Sequence, residues 1–372
     1  MAVAAAFAIN GVAGGNWVVR IPAIQERLDL SEATLGVALL GMPLGAILVM
    51  PLAGSWVARF GSRIGVRIGT FGICAGVMLP GLAPNLLGLT LALILYGMAN
   101  GIQDVSMNAH GVVVERRYGR TIMSSFHAFF SVGAMLGAIS GGLVAEAGVE
   151  TRVHLISVGI ILTVATVIVM RYLLPAEVDA SGSTTREPVF VRIPRAVLGL
   201  GIVGFCALLS EGAMADWTAV YLRNTLDTSP GLAAAGYAVF SLTMTVGRLA
   251  GDRLTDRLGP VRIIESGGFL SAVGVALALL LANPYVALFG FGLTGLGLSI
   301  IVPVVFSSAG RSSVIAPSRA ISAVTTTGYF GFMAGPPLIG FVAHVVTLRG
   351  ALVIVVVLSL VMVGMARAVG RG

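Results

Sequence analysis

The sequence is short of charge. Of its 372 residues, only 10% are Asp, Glu, Lys or Arg, whereas a soluble domain carries about 25%. Lysine is absent, so all 23 basic residues are arginine. In contrast, 57% of the residues are hydrophobic and the mean hydropathy is +0.98. These values exclude an ordinary soluble domain and favour a membrane protein with many spans.

Groups that could carry chemistry are also scarce. The two cysteines, Cys74 and Cys206, lie within apolar segments, so we expect neither a disulfide framework nor a metal site. The four histidines do not follow a metal-ligand spacing, and no phosphate-binding loop is present. We therefore expect no enzyme activity, no cofactor and no ATP-driven transport. Nucleic-acid binding is not expected either, because the net charge of +7 comes from arginines in short loops.

Long apolar runs dominate the rest of the chain. A helix of about 20 residues can cross a bilayer, and we predict twelve such spans, at about 2–20, 33–57, 65–84, 86–114, 121–145, 153–174, 197–221, 232–254, 261–282, 285–308, 320–343 and 350–367. A polar segment at 175–195 divides them. The sequence thus predicts an N-terminal bundle of six helices at 1–174, a cytoplasmic linker at 175–195 and a C-terminal bundle of six helices at 196–372.

The arginines are distributed unevenly between the two sides of this arrangement. Eighteen of the 23 fall on the side that carries both termini, and five fall on the other. Cytoplasmic loops are enriched in basic residues. We therefore expect both termini to be cytoplasmic.

Two motifs recur at one offset, which predicts a duplicated unit of six spans. Arg59 and Gly61, between spans 2 and 3, are followed 198 residues later by Arg257 and Gly259, between spans 8 and 9. The same offset relates the glycines of span 5 to those of span 11: Gly133, Gly137 and Gly142 to Gly331, Gly335 and Gly340.

These motifs resemble the major facilitator superfamily over essentially the whole chain. The family's loop pattern is Gly-x-x-x-Asp-Arg-x-Gly-x-Arg. In the first half it is matched by Gly54, Arg59, Gly61 and Arg63, while Ala58 replaces the Asp. In the second half it is matched by Asp256, Arg257 and Gly259. The resemblance implies an all-α membrane protein with twelve transmembrane helices in two pseudo-symmetric bundles. It also implies alternating access, with gating roles for these residues.

A second pattern of the family lies in spans 5 and 11. Gly133 and Gly137 resemble part of the family's antiporter motif, but Ala138 stands where that motif has Pro. The better match to that Pro is Pro336, which follows Gly335. We assign a conformational role to Gly133, Gly137, Gly335 and Pro336.

Three phrases, at 17–22, 123–127 and 211–217, resemble a bacterial branch of the family. That branch is distantly similar to fucose-permease-like sugar/proton symporters, which use a carboxylate on span 4. The resemblance implies a multi-pass protein of the bacterial plasma membrane that acts as a monomer among membrane lipids, with small-molecule substrate and protons as its partners.

Polar residues follow helical spacing within span 4. Asn100, Gln103, Asp104 and Asn108 fall on one stripe of the helix. An acid at mid-membrane costs roughly 2.5–3.5 kcal/mol and is retained where it faces protein or water. We therefore expect Asp104, and Glu211 near the middle of span 7, to couple transport to protons. Asp216 falls near a predicted span end, where a solvated or clamping role is expected.

Further candidates lie on other spans. Polar stripes predict substrate contacts from Asn10, Trp17, Asn100, Gln103, Asn108, His127, Trp217, Tyr237, Ser241, Thr325 and Tyr329. His127 is also a candidate partner of a buried acid. The alternatives are structural, because hydroxyls and amides hold helices together and tryptophans form interfacial belts.

Three functional interpretations remain open, and two of them are transporters. The first is a proton-coupled secondary transporter of a small polar solute, with a sugar-like compound as candidate. The second is a proton/drug antiporter that exports amphipathic compounds. A third class, a receptor that binds a solute without moving it, would show ligand-induced stabilisation without exchange.

Overall fold

The computed structural model describes residues 1–119, 122–174, 195–310 and 317–369. Within these ranges the chain is helical and contains no β-strand. The linker predicted at 175–195 lies outside the described residues, apart from Arg195.

The described residues of the first half form nine α-helices. They are α1 (Ala2–Val18), α2 (Ile21–Arg27), α3 (Glu32–Leu39), α4 (Gly41–Phe60), α5 (Ser62–Gly76), α6 (Leu79–Leu82), α7 (Leu86–Tyr118), α8 (Met123–Glu146) and α9 (Thr151–Val169), and a 3₁₀ turn at Met170–Tyr172 follows. Positions facing outward are largely Leu, Ile, Val and Phe, as expected of helices in contact with lipid.

The second half contains the remaining described helices. They are α10 (Arg195–Val220), α11 (Pro230–Leu281), α12 (Pro284–Leu298), α13 (Ile301–Gly310), α14 (Pro317–Val345), α15 (Leu348–Ala351) and α16 (Val353–Val369). A π-helical turn at Tyr221–Thr225 extends α10. Non-helical backbone at Gly259 divides α11 into two spans.

Most of these helices can cross a membrane by length and composition. The described residues contain ten such spans, and the pair α1 and α2, bent by 41°, gives an eleventh. Helix α14, with 29 residues, is the remaining long helix. The architecture confirms the predicted all-α membrane fold.

The chain divides into two compact units. The first comprises Met1–Glu187 with Ser229–Ala234, and the second comprises Pro188–Thr228 with Ala235–Gly372. Inside the first unit α1 packs along α8, and α7 packs along both α4 and α5. Inside the second unit α10 packs along α14.

The two units repeat the same backbone features at the offset of 198 residues. Gly61 (φ 81°, ψ 161°) and Gly259 (φ 78°, ψ 161°) each open a helix in the same conformation, which favours glycine. Asp29 and Asp227 both have a φ of 49°. The duplication predicted from two motifs is therefore also visible in the local conformation of the chain.

Candidate functional site

The first unit carries a cluster of amides and one acid, the first cluster: Asn10, Asn100, Asp104 and Asn108. Asn10 donates from Nδ2 to Asn100 Oδ1 at 3.0 Å, which links α1 to α7. Asn108 donates from Nδ2 to Asp104 Oδ1 at 3.0 Å and to the Asp104 carbonyl oxygen at 2.8 Å. The three side chains on α7 are half-buried. They lie at i, i+4 and i+8, so they share one stripe of the helix.

Gln103 belongs to a different surface of α7 from Asp104. It is fully buried and donates from Nε2 to the Ala6 carbonyl oxygen and to Thr70 Oγ1, both at 3.1 Å. These bonds connect α7 to α1 and α5 inside the unit. The stripe predicted as one surface thus divides into a half-buried polar line and a buried contact between helices.

Two other predicted residues of the first unit have different surroundings. His127 is exposed on α8, and its ring stands edge-on to Phe7 with 5.1 Å between ring centroids. Trp17 is buried near the end of α1, at 2% exposure. His127 therefore lies on an accessible surface, whereas Trp17 packs within the unit.

The second unit carries an ion pair inside its membrane spans. Arg248 on α11 donates from Nη2 to Glu211 Oε1 on α10 at 3.2 Å, and the side chains are 19% and 21% exposed, respectively. Glu211 is thereby held next to a permanent positive charge. Glu211 was predicted from the sequence, whereas Arg248 is one of the eighteen arginines counted on the side of the termini. Its position six residues before the predicted end of span 8 was the available signal, because a base inside an apolar run requires a partner.

Tyr237 lies close to this ion pair. Its phenol is within electrostatic range of Glu211, Arg248 and Asp216, and it interacts with Ser241 one turn along α11. We call these five residues the second cluster. Tyr237 and Ser241 were predicted as substrate-binding residues, and the structure brings them next to the predicted acid.

Asp216 was expected near a span end, and it lies four residues before the end of α10. The π-helical turn continues the helix to Thr225, nine residues beyond Asp216. Asp216 is half-buried, and the neighbouring Trp217 is fully buried. Within the described residues the Trp217 indole N–H has no hydrogen-bond acceptor.

The remaining substrate candidates are on α14. Thr325 and Tyr329 are half-buried, and the Tyr329 ring lies 6.5 Å from that of Phe332. Both belong to the second unit.

The residues assigned to gating occupy two kinds of position. The loop group lies in the C-terminal part of α4, at the start of α5 and around the division of α11. Its members are Gly54, Arg59, Gly61, Arg63, Asp256, Arg257 and Gly259. Arg59 stacks over the Phe60 ring at 5.1 Å, and Asp256 and Arg257 are exposed.

The second gating group packs helices together. A Cβ added at Gly137 would overlap the Val12 carbonyl oxygen, so α8 and α1 approach at their backbones. Gly133 makes the same approach at Ala8. At Gly335, next to Pro336 inside α14, the nearest atom is Leu209 Cγ at 3.5 Å from such a Cβ, an ordinary contact.

One polar cluster was not predicted. Arg20 donates from Nε to His154 Nδ1 at 2.8 Å and from Nη2 to the Val149 carbonyl oxygen at 3.0 Å. Since guanidinium is only a donor, His154 is neutral and its Nε2–H donates to Asn16 Oδ1 at 3.0 Å. This buried network joins α1 to α9. It joins two distant stretches of sequence, so no spacing could reveal it.

Comparison with known proteins places this architecture in a family. The sequence profile described as Major Facilitator Superfamily matches residues 3–314 and 200–369. An uncharacterised MFS-type transporter of Yersinia pestis is 37% identical over 371 residues, which is 98% of this chain and 94% of the relative.

Solved structures share the fold. A variant of the nucleoside transporter NupG superposes with a TM-score of 0.79 at 12% identity, over all of this chain and 98% of that one. The MFS transporter FucP, in its outward conformation, superposes with a TM-score of 0.67 at 17% identity, over 98% and 97% of the two chains. Together with the profile match over nearly the whole length, these findings show that the chain is a multi-pass membrane transporter of the Major Facilitator Superfamily.

Proposed function

We propose that this protein transports a small polar solute by alternating access and couples that movement to protons. The observation that carries the proposal is the Glu211–Arg248 ion pair inside membrane-spanning helices. Ionisable groups in such helices are costly and mark substrate or proton pathways. The first unit also carries polar groups within its spans, at Asn10, Asn100 and Asp104, and placing them there is costly as well.

A hydroxylated solute fits the groups available. The amides of Asn10, Asn100 and Asn108 each offer both donors and acceptors, as do the hydroxyls of Ser241 and Tyr237. A sugar-like compound is therefore the first candidate. The nucleoside transporter NupG shares the fold, and nucleosides carry a sugar, so they belong in the same screen.

Proton coupling would use the acids. Glu211 in its charged form pairs with Arg248, whereas a protonated Glu211 would release that guanidinium to another acceptor. Asp104 accepts from Asn108 and is half-buried on α7. At least one of these two carboxylates exchanges a proton with water during each transport cycle in this proposal.

We further propose the cellular arrangement. The bias of eighteen arginines against five supports cytoplasmic termini in a bacterial plasma membrane. The two bundles at 1–174 and 196–372 would be joined by a cytoplasmic linker, and the protein would act as a monomer surrounded by lipid.

The alternative of drug/proton antiport rests on the glycines of span 5. In the structure Gly133 and Gly137 bring α8 against the backbone of α1. That packing role accounts for both glycines without antiport. The amide-rich first cluster also suits a polar solute better than an amphipathic drug.

A proton-flux assay tests the proposal. Purified protein is reconstituted in vesicles that contain a pH-sensitive dye, and sugars, nucleosides and cationic drugs are added one at a time. We expect a sugar or nucleoside to drive proton movement into the vesicles, and Asp104→Asn or Glu211→Gln to abolish it. Asp227→Asn is the matched control, because Asp227 is exposed in a turn and Asn tolerates its positive φ. Solute entry without proton movement, or intact coupling in both variants, would contradict the proposal.

A further inference from the structure

The acids within the membrane spans differ in their partners. Glu211 is ion-paired with Arg248, and Asp104 accepts a hydrogen bond from Asn108. Asp216 has neither kind of partner within the described part of the chain. It is nevertheless half-buried and lies nine residues before the end of the apolar helical segment Val197–Thr225.

The surroundings of Asp216 contain few groups that could stabilise its charge. From α11 the phenol of Tyr237 lies within its electrostatic range, and the same phenol is near the paired Glu211 and Arg248. On its own helix the neighbour Trp217 is fully buried. The other described segments packed against α10 carry Tyr329 and His344 on α14, Arg367 on α16, Tyr285 on α12, and Tyr221 and Arg223 in the π-helical turn. None of these groups makes an ion pair with Asp216.

A charge count shows what this arrangement requires. Arg248 neutralises Glu211, so the ion pair contributes no net charge. An ionised Asp216 would add one uncompensated negative charge in a membrane span, which is costly. A proton taken from water onto the carboxylate oxygen removes that charge, and its return to water restores it.

We infer that Asp216 is the carboxylate that holds the coupled proton in the second unit, while the Glu211–Arg248 pair contributes no net charge beside it. The assignment of this proton to the transport cycle rests on the proposed function. The binding of the proton itself does not. From the sequence, Asp216 was expected near a span end and was not among the residues predicted to couple transport to protons.

Infrared spectroscopy of the full-length protein in detergent tests this without any solute. The carbonyl stretch of a protonated carboxyl group is recorded while the buffer is changed from acidic to alkaline. We expect a component that is lost as the buffer becomes alkaline, is absent in Asp216→Asn and persists in the control Asp227→Asn. It should also persist in the double variant Glu211→Ala with Arg248→Met, which removes the ion pair as a unit.

A second variant guards against loss of folding. Asp216→Glu keeps a titratable carboxyl, so it should retain the component at a shifted frequency, and size-exclusion profiles should match the wild type. A spectrum of a folded Asp216→Asn variant identical to the wild type would overturn the inference. If the component is lost as expected but no solute drives proton movement in vesicles, the inference about proton binding stands and the proposed function fails.

Discussion

The two units share a scaffold and differ in charge. The residue pairs Asp29 and Asp227 or Gly61 and Gly259, 198 residues apart, adopt matching backbone conformations. Asn85 and Asn283, at the same offset, each cap a helix start: Asn85 accepts from Gly88 N at 2.9 Å, and Asn283 accepts from the equivalent Val286 N at 3.3 Å and from Tyr285 N at 3.0 Å.

The charged residues do not repeat. The positions equivalent to Glu211 and Arg248 are Ala13 and Met50, and the position equivalent to Asp104 is Val302. Each unit therefore folds with apolar residues where the other has ionisable ones. This difference teaches that the equivalent positions of the scaffold accept apolar residues, which supports a functional role for the ion pair and Asp104.

The largest stability effect should come from removing half of the ion pair. Glu211→Ala leaves the Arg248 guanidinium unpaired, and we expect a loss of about 2–3 kcal/mol, below that of a fully buried pair since one fifth of each side chain is exposed. The double variant with Arg248→Met, which copies Ala13 and Met50, should regain most of it. Denaturant or thermal unfolding in detergent measures both. A double variant no more stable than Glu211→Ala would show that the pair does serve the scaffold.

Equivalent glycines should respond differently to the same change. A Cβ at Gly137 would overlap the Val12 carbonyl oxygen, so Gly137→Ala should cost about 1–3 kcal/mol by forcing α8 from α1. At the equivalent Gly335 the nearest atom is at 3.5 Å, so Gly335→Ala should change stability by less than about 0.5 kcal/mol. Parallel melting curves compare the two, and equal losses would contradict the difference in packing.

The helix caps should give matched, smaller effects. Asn85→Ala and Asn283→Ala each remove one hydrogen-bond acceptor at a helix start, and each should cost about 1 kcal/mol. Chemical unfolding of the two variants side by side checks this. A loss in one variant with none in the other would show that the caps are not equivalent.

The smallest stability effect is expected for Asp104→Asn. The amide keeps the Oδ1 acceptor for Asn108, so stability should change by less than about 0.5 kcal/mol. Proton-coupled uptake should nevertheless be lost, because the amide cannot bind and release a proton. Unfolding and vesicle assays on the same preparation separate the two readouts. A variant that melts early and still couples would reverse the interpretation.

Sequence patterns predicted the scaffold well because it depends on local signals. Apolar runs, glycine spacing and the 198-residue offset are each visible along the chain, and so is an acid such as Asp104 within an apolar run. Contacts between distant helices were not predictable in this way. Arg248 meets Glu211 and Arg20 meets His154 through packing, and Gln103 turns inward because α5 offers Thr70. The π-helical turn that extends the helix beyond Asp216 was not predicted from any residue pattern either.

The double variant Glu211→Ala with Arg248→Met tests the central claim most directly, because it gives the second unit the apolar residues of the first. Solute-driven proton movement is measured in vesicles for a variant shown to be folded. We predict that the variant folds and elutes in detergent as the wild type does, but no longer moves protons with solute. Proton movement at the wild-type rate would show that the Glu211–Arg248 pair takes no part in the coupling, since Asp216 is retained in this variant.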